Sequence, residues 1–181
     1  MASNTIKTDN SYLADKVGLR ANHLPKVKTV TVLDCYAGTG RIWRAVKRRT
    51  GKEIRVLGMD KREIGYHLPG DNLAWLKTID LDKFNVIDLD AYGTPYEQIK
   101  ILFDRGYKGV VFVTFIQSMF GQMPKGLLSE IGVTDVMVKK APSLCSKRGW
   151  EFFLEWLAMK GITRIYHRGH ARKHYFCFTI E

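Results

Sequence analysis

Cysteine is scarce in this chain, and the little there is shows no pattern. Among 181 residues there are three, Cys35, Cys145 and Cys177. No two stand at CxxC spacing, which argues against a zinc ribbon or a disulfide framework and suits a reducing cytoplasm. Long apolar runs are missing as well. "VVFVTFI" is strand length, well short of the ~20 residues a bilayer crossing needs. No signal peptide is recognisable, and the expectation is a cytoplasmic protein with no membrane partner. There is no internal repeat and no low-complexity segment.

Acid is the other deficit. Eighteen Asp and Glu face 29 Lys and Arg, a formal charge of +11. Such an excess favours a polyanionic partner, most often nucleic acid. A very basic protein with solvated faces is the plainer alternative, because charge alone specifies neither sequence nor groove. At 45% hydrophobic and 12% aromatic, the composition is that of an ordinary globular domain.

Strands and helices alternate. "SYLADKVGLRANHLP" places Leu13, Val17, Ala21 and Leu24 at helical spacing, with Pro25 marking the end. Lys16 and Arg20 lie one turn apart on a neighbouring face, either as a solvated edge or as a basic rim over a site. "VTVLDCYAG" is a β-branched run followed by glycines. "RIWRAVKRRTG" is a helix with Ile42, Trp43 and Val46 inward and Gly51 at its C-cap. "IRVLGMD" and "KFNVID" are further strands, with "GDNLAWLKTI" between them. Thr94, Pro95 and Glu97 predict a capping box that opens the next helix. "KGVVFVTFI" is a strand, "WEFFLEWLAMKG" an amphipathic helix, and "ITRIYHRG" with "KHYFCFTI" a terminal antiparallel hairpin.

This order predicts a mostly parallel sheet with helices on both faces. Ligands of such sheets bind beyond the carboxyl ends of the strands. Acids stand at those ends: Asp34, Asp60, and the pair Asp88 and Asp90 in "DLDAYGTP". Asp71 lies in an intervening turn. Gly38 and Gly40 let backbone approach a ligand, although a tight turn explains them nearly as well. A dinucleotide fingerprint is incomplete, because Trp43 stands at the third glycine position, and a P-loop GK[ST] is absent. Asp60 can accept both hydroxyl protons of a ribose. "GDN" at 70–72 offers a carboxylate and an amide to an adenine amine.

"VLDCYAGTGR", "VLGMD", "GDNLAWL" and "FNVIDLDAYGTP" resemble, in order and context, the motifs of class I S-adenosylmethionine-dependent methyltransferases. The likeness covers residues 30–181, read as one domain behind an N-terminal polar tail and helix, 1–29. It implies a Rossmann-like methyltransferase fold with a mostly parallel seven-stranded sheet and a C-terminal antiparallel hairpin. The fourth motif is most similar to that of tRNA guanine dimethyltransferases, Asp-Pro-Phe/Tyr-Gly-Ser-Pro, with Ala91 here in place of the proline.

The resemblance implies S-adenosyl-L-methionine as cofactor. Asp34, Tyr36, Gly38, Gly40, Asp60, Lys61, Asp71, Asn72 and Asp88 would hold it. Asp90 would accept hydrogen bonds from a target amine, Tyr92 would stack on the target base, and Asp88 would assist. Tyr92, Gly93, Phe120, Lys140 and Arg148 are candidate substrate contacts, and Met123 a further lining residue. The expected reaction is methylation of an exocyclic base amine in nucleic acid, RNA favoured over DNA. Two alternatives stay open: a non-catalytic nucleic-acid-binding protein that keeps the cofactor fold, which Ala91 motivates, and an NAD-dependent oxidoreductase, which the Gly40-to-Asp60 spacing allows. His167, His170 and His174 straddle a turn among Arg168, Arg172 and Lys173. A bound metal would be repelled there, and no metal is expected.

Overall fold

A computed structural model describes residues 11–61, 67–117 and 123–181. The elements run α1 (Leu13–Asn22), β1 (Thr29–Asp34), α2 (Arg41–Thr50), β2 (Glu53–Asp60), β3 (Leu68–Pro69), α3 (Asn72–Thr78), β4 (Val86–Leu89), α4 (Tyr96–Asp104), β5 (Gly109–Ile116), α5 (Lys125–Glu130), α6 (Asp135–Lys140), α7 (Ser143–Met159), β6 (Tyr166–His170) and β7 (Lys173–Ile180). One sheet takes all the strands, in the order β3-β2-β1-β4-β5-β7-β6. β1 to β5 pair in parallel, and β7 runs against both β5 and β6. The expected mostly parallel seven-stranded sheet with a terminal antiparallel pair is what the chain forms.

Alternation along the strands sorts side chains to two cores. Val30, Val32, Val86 and Phe112 face one side, where α1 and α2 cover them with Val17, Leu19, Trp43 and Val46. Leu33, Ile87, Leu89, Val111, Val113 and Phe115 face the other, under α3, α4, α5 and α7. Trp156, Phe153 and Leu157 of α7 are fully buried there. Burying each such side chain contributes roughly 1.5–3 kcal/mol, so this face holds α7 despite the non-helical backbone at Arg148.

Local signals set the helix ends. Gly51 (φ 65) closes α2 with its N–H on the Lys47 carbonyl, a left-handed cap that favours glycine. The capping box expected at Thr94 does not form. α4 begins at Tyr96, so Pro95 takes the N-cap position and no side chain caps the helix. Glu97 still falls in the first turn, where its charge complements the helix dipole. Beyond α5, residues 134–148 hold α6 and the start of α7. Thr134 caps α6 by accepting from the Met137 N–H.

α1 lies across α2, β6 and β7. Its residues 16–20 are all buried, including Lys16 and Arg20. The reading of these two cations as a solvated edge is therefore corrected: both are buried, and Lys16 borders the cavity described below.

Candidate active site

The site lies at the carboxyl edge of the parallel strands, where β1 and β4 diverge around the chain crossover. A cavity of about 480 Å³ opens there, within the size of a small-molecule or cofactor pocket. Three segments build one half of it. After β1, the chain keeps pairing with β2: Ala37 N–H donates to the Met59 carbonyl and Gly38 N–H to Asp60 Oδ2, 3.1 Å. That bond fixes the Asp60 carboxylate at the end of β2. At Gly58 a Cβ would lie 2.7 Å from the Ala37 Cβ and closer still to the His67 ring, so the loop reaches β2 only because glycine is there.

The third segment is the start of α3. Asp71 caps it, accepting from Leu73 N–H. Asn72 is buried, its amide donating to the Cys35 carbonyl while its oxygen accepts from Gln98. Gln98 also donates to the Tyr36 hydroxyl, 2.8 Å. Tyr36, Gly38, Asp60, Lys61, Asp71 and Asn72 thus line one continuous wall. The bonds of Asn72 give it a framework duty: it ties the loop after β1 to α3 and α4.

Asp90, Ala91 and Tyr92 line the other half, with Thr114 of β5, Tyr175 of β7 and Lys16 of α1. Lys16 Nζ lies 2.9 Å from Asp90 Oδ2 and 5.2 Å from the centre of the Tyr175 ring. The buried Thr114 hydroxyl donates to Asp90 Oδ1. Each carboxylate oxygen has two lone pairs, so both keep acceptor capacity. Tyr92 is 68% exposed at the cavity mouth.

Asp88 has a different place. Arg20 Nε and Nη2 donate to its two oxygens at 2.7 and 2.6 Å, and Trp43 Nε1 adds 2.7 Å. Both ion partners are 1% exposed, and Asp88 is not part of the cavity wall. Of the residues expected in catalysis and cofactor contact, Asp88 is thus set apart from the cavity, its carboxylate bound by three donors inside the fold. The match between helix and strand explains the doubling. Four helical residues rise ~6 Å and two strand residues ~6.6 Å. Lys16 and Arg20 on α1 therefore align with Asp90, just past β4, and Asp88 on it.

Asp34 sits beside this pair, as the registered neighbour of Asp88 on β1. It too faces away from the main cavity, against a smaller groove with Gly40, Trp43 and Arg44. Burial pushes its carboxyl well above the usual range and the Asp88 charge adds to this, while the Tyr36 N–H and Arg20 oppose. Burial also raises Asp88, with Arg20 pulling back. Burial works against the Arg20 charge, but Asp88 outweighs it and keeps the guanidinium ionised. One cation serves two adjacent buried acids, and its bonds go to Asp88, so Asp34 is the carboxyl driven well above the usual range.

The remaining candidates lie elsewhere. Gly40 is the N-cap of α2, at φ 66. Gly93, at φ 106, accepts from Ile116 N–H through its carbonyl. Lys140 ends α6 on the surface, and exposed Arg148 lies over the Phe152 ring; neither borders the cavity. Met123 is packed in the core. Phe120 lies outside the described residues. Sequence reasoning did not assign Thr114, Gln98 or Tyr175, whose chain positions carry no local signal.

Among the described residues no group of three or more His, Cys, Asp or Glu is placed to hold a metal. No described helix is long and apolar enough to cross a membrane.

No profile of a known protein family matches the chain, and no curated protein sequence does. Solved structures do match. The precorrin-6y C5,15-methyltransferase of Geobacter metallireducens GS-15 aligns with a TM-score of 0.51 at 12% identity, over 99% of this chain and 92% of that one. The plantazolicin methyltransferase BpumL, solved in complex with SAH, gives 0.52 at 11% identity, over 94% and 84%. Mitomycin 7-O-methyltransferase MmcR gives 0.53 at 15%, over 93% of this chain and 54% of its own. The sheet order, the reversed β7 and these superpositions agree: the chain has the Rossmann-like fold of class I S-adenosylmethionine-dependent methyltransferases.

Proposed function

We propose that the protein is an S-adenosylmethionine-dependent methyltransferase acting on a base amine in nucleic acid, RNA before DNA. The observation that carries the reading is the two-part cavity. One half offers the Asp60 carboxylate at the end of β2, the Gly38 backbone and Asp71 at the start of α3; the other offers Asp90 beside an exposed aromatic ring. The first half suits a nucleoside with a free ribose diol and an adenine amine. BpumL, of the same fold, was solved with SAH, which supports the choice of cofactor.

The bound cofactor would supply an activated methyl group on its sulfonium. The chain's own task is then alignment. Asp60, held by Gly38 N–H, grips the sugar and sets where the reacting end lies. Asp90 accepts N–H bonds from the amine, which opposes delocalisation of its lone pair and stabilises the positive charge that develops. Thr114 holds Asp90 from the other side. Tyr92 offers a flat face at the mouth, where base stacking is worth about 1–3 kcal/mol. A base in a duplex would have to be flipped to reach Asp90.

The test is transfer of labelled methyl to RNA, DNA and protein fractions, followed by digestion to nucleosides. Label in a methylated base amine supports the reading. Label confined to protein or small molecules rejects the acceptor class and leaves the enzyme class.

A further inference from the structure

The edge strand β6 has a composition the methyl-transfer site does not explain. It is the last strand of the sheet, and Tyr166, His167 and Arg168 on it are exposed, as is Arg164 just before it. Rings are stacked on each side of the strand, with a guanidinium on one. On the α1 side, Arg164 lies 5.2 Å over the Tyr166 ring, and Tyr166 stacks on His23 at 4.0 Å. On the α7 side, Trp150 and His174 are parallel at 4.2 Å, and the exposed His167 stacks against both. His167 and His174 also share a hydrogen bond of 3.0 Å.

The strand leads to the cavity. β6 ends at His170, which stacks on Tyr12 and pairs with Asp15 at the start of α1. After the turn, β7 brings Tyr175 into the cavity wall. An extended chain laid on β6 would therefore arrive at the mouth where Tyr92 stands.

We propose that the β6 edge is a binding track for single-stranded nucleic acid, which delivers the target base to the cavity. Arg164 and Arg168 meet phosphates, and the exposed His167 takes a base by stacking, while Tyr166, between His23 and Arg164, holds that guanidinium in place. The proposal rests on the nucleic-acid reading above and adds the surface. Three features favour this occupant. The charge of the strand is of one sign, which complements phosphate. Its two arginines flank two flat rings, and cations beside rings are what a single strand meets where it is read without base-specific bonds. Burial, then the neighbouring histidine charges, push His174 down to about 4 and hold His167 below its usual range, so near neutral pH both are uncharged stacking faces.

The test is fluorescence anisotropy with a labelled single-stranded uridine 20-mer and its thymidine counterpart, on the wild-type protein and three variants. The Arg164→Glu/Arg168→Glu double variant should lose at least tenfold in affinity, and His167→Ala about threefold to tenfold. The Lys77→Glu/Lys108→Glu double variant makes the same net charge change on α3 and before β5, and should lose less than threefold. All three should bind S-adenosylhomocysteine as wild type does, which reports folding and the cofactor site separately.

Equal weakening in both double variants would mean net charge alone, and would overturn the track. Unchanged binding in the β6 variant would overturn it too, while nucleic-acid binding elsewhere would survive. No binding by wild type would overturn both the track and the nucleic-acid reading. No S-adenosylhomocysteine binding by wild type, with the anisotropy pattern intact, would leave the track standing and sink the methyltransferase reading.

Discussion

Lys16 and Asp90 stand 74 residues apart in the chain and 2.9 Å apart in space. The pair is nearly buried, with side-chain exposures of 7% and 13%. It places a residue of the first helix in the wall of the cavity and fixes one oxygen of the carboxylate on which the proposed chemistry depends.

The first prediction concerns that pair. Removing one partner of a buried pair leaves an uncompensated charge and costs about 3–5 kcal/mol. Lys16→Met and Asp90→Asn should each destabilise, Lys16→Met at the low end of that range because Asp90 keeps Thr114. The double variant should cost less than the sum by about 1–3 kcal/mol. Urea unfolding of the four proteins measures the coupling, and strict additivity would mean the two do not interact.

Arg20 and Asp88 should be costlier to separate. Arg20→Met leaves Asp88 with only Trp43 as a donor, in full burial, and should cost about 3–5 kcal/mol. Trp43→Phe removes one hydrogen bond and keeps most of the packing, so about 1.5–3 kcal/mol is expected. If Asp88 acted on the cofactor instead, Asp88→Asn would weaken S-adenosylhomocysteine binding with little change in stability. The structure predicts the reverse order of effects.

Asp34 gives a pH-dependent prediction. Burial first, and Asp88 second, raise its carboxyl in the folded state. The folded protein therefore holds a proton that the unfolded chain releases above the ordinary carboxylate range. This contribution to stability is full at low pH and is lost as pH rises through the folded value. Asp34→Asn removes the titration and keeps an oxygen for the Tyr36 N–H. The variant should gain in melting temperature relative to wild type as pH rises above 4, up to a plateau. A constant difference from pH 4 to 8 would contradict the assignment.

Glu130 supplies the opposite sign. It accepts from Tyr96 and Trp156 and pairs with Lys160, joining α5 to α4 and α7. Burial opposes the charge, but these partners overcome it and hold the carboxyl down to about 2. Its stabilisation is present above the unfolded value of 4.5 and is lost as pH falls toward 2. Glu130→Ala should cost about 2 kcal/mol at pH 7, with the difference shrinking below pH 4.5.

Much of this molecule is legible along the chain, because its signals are local. β-branched runs, an apolar stripe in α7 and glycine after α2 mark their elements without help from distant residues. Asp60 and Asp71 could be found because strand ends and helix starts can be located from the same patterns. Asp88 was misplaced for a non-local reason. Two acids at i and i+2 look surplus until their partners are known, and those partners lie 68 and 74 residues upstream. A trace was present: Lys16 and Arg20 repeat at the helical period as Asp88 and Asp90 do at the strand period. The capping box failed because Pro95 set the first turn one residue later than Thr94 required.

The central claim is that the wall built from Gly38, Asp60 and Asp71 holds an adenosine cofactor. Isothermal titration of the purified chain with S-adenosylhomocysteine tests it most directly. The account predicts one site per chain, with affinity lowered at least tenfold by Asp60→Ala and left nearly unchanged by Asp88→Asn wherever that variant folds. No saturable binding to the folded wild-type protein, or equal affinity in Asp60→Ala, would contradict it.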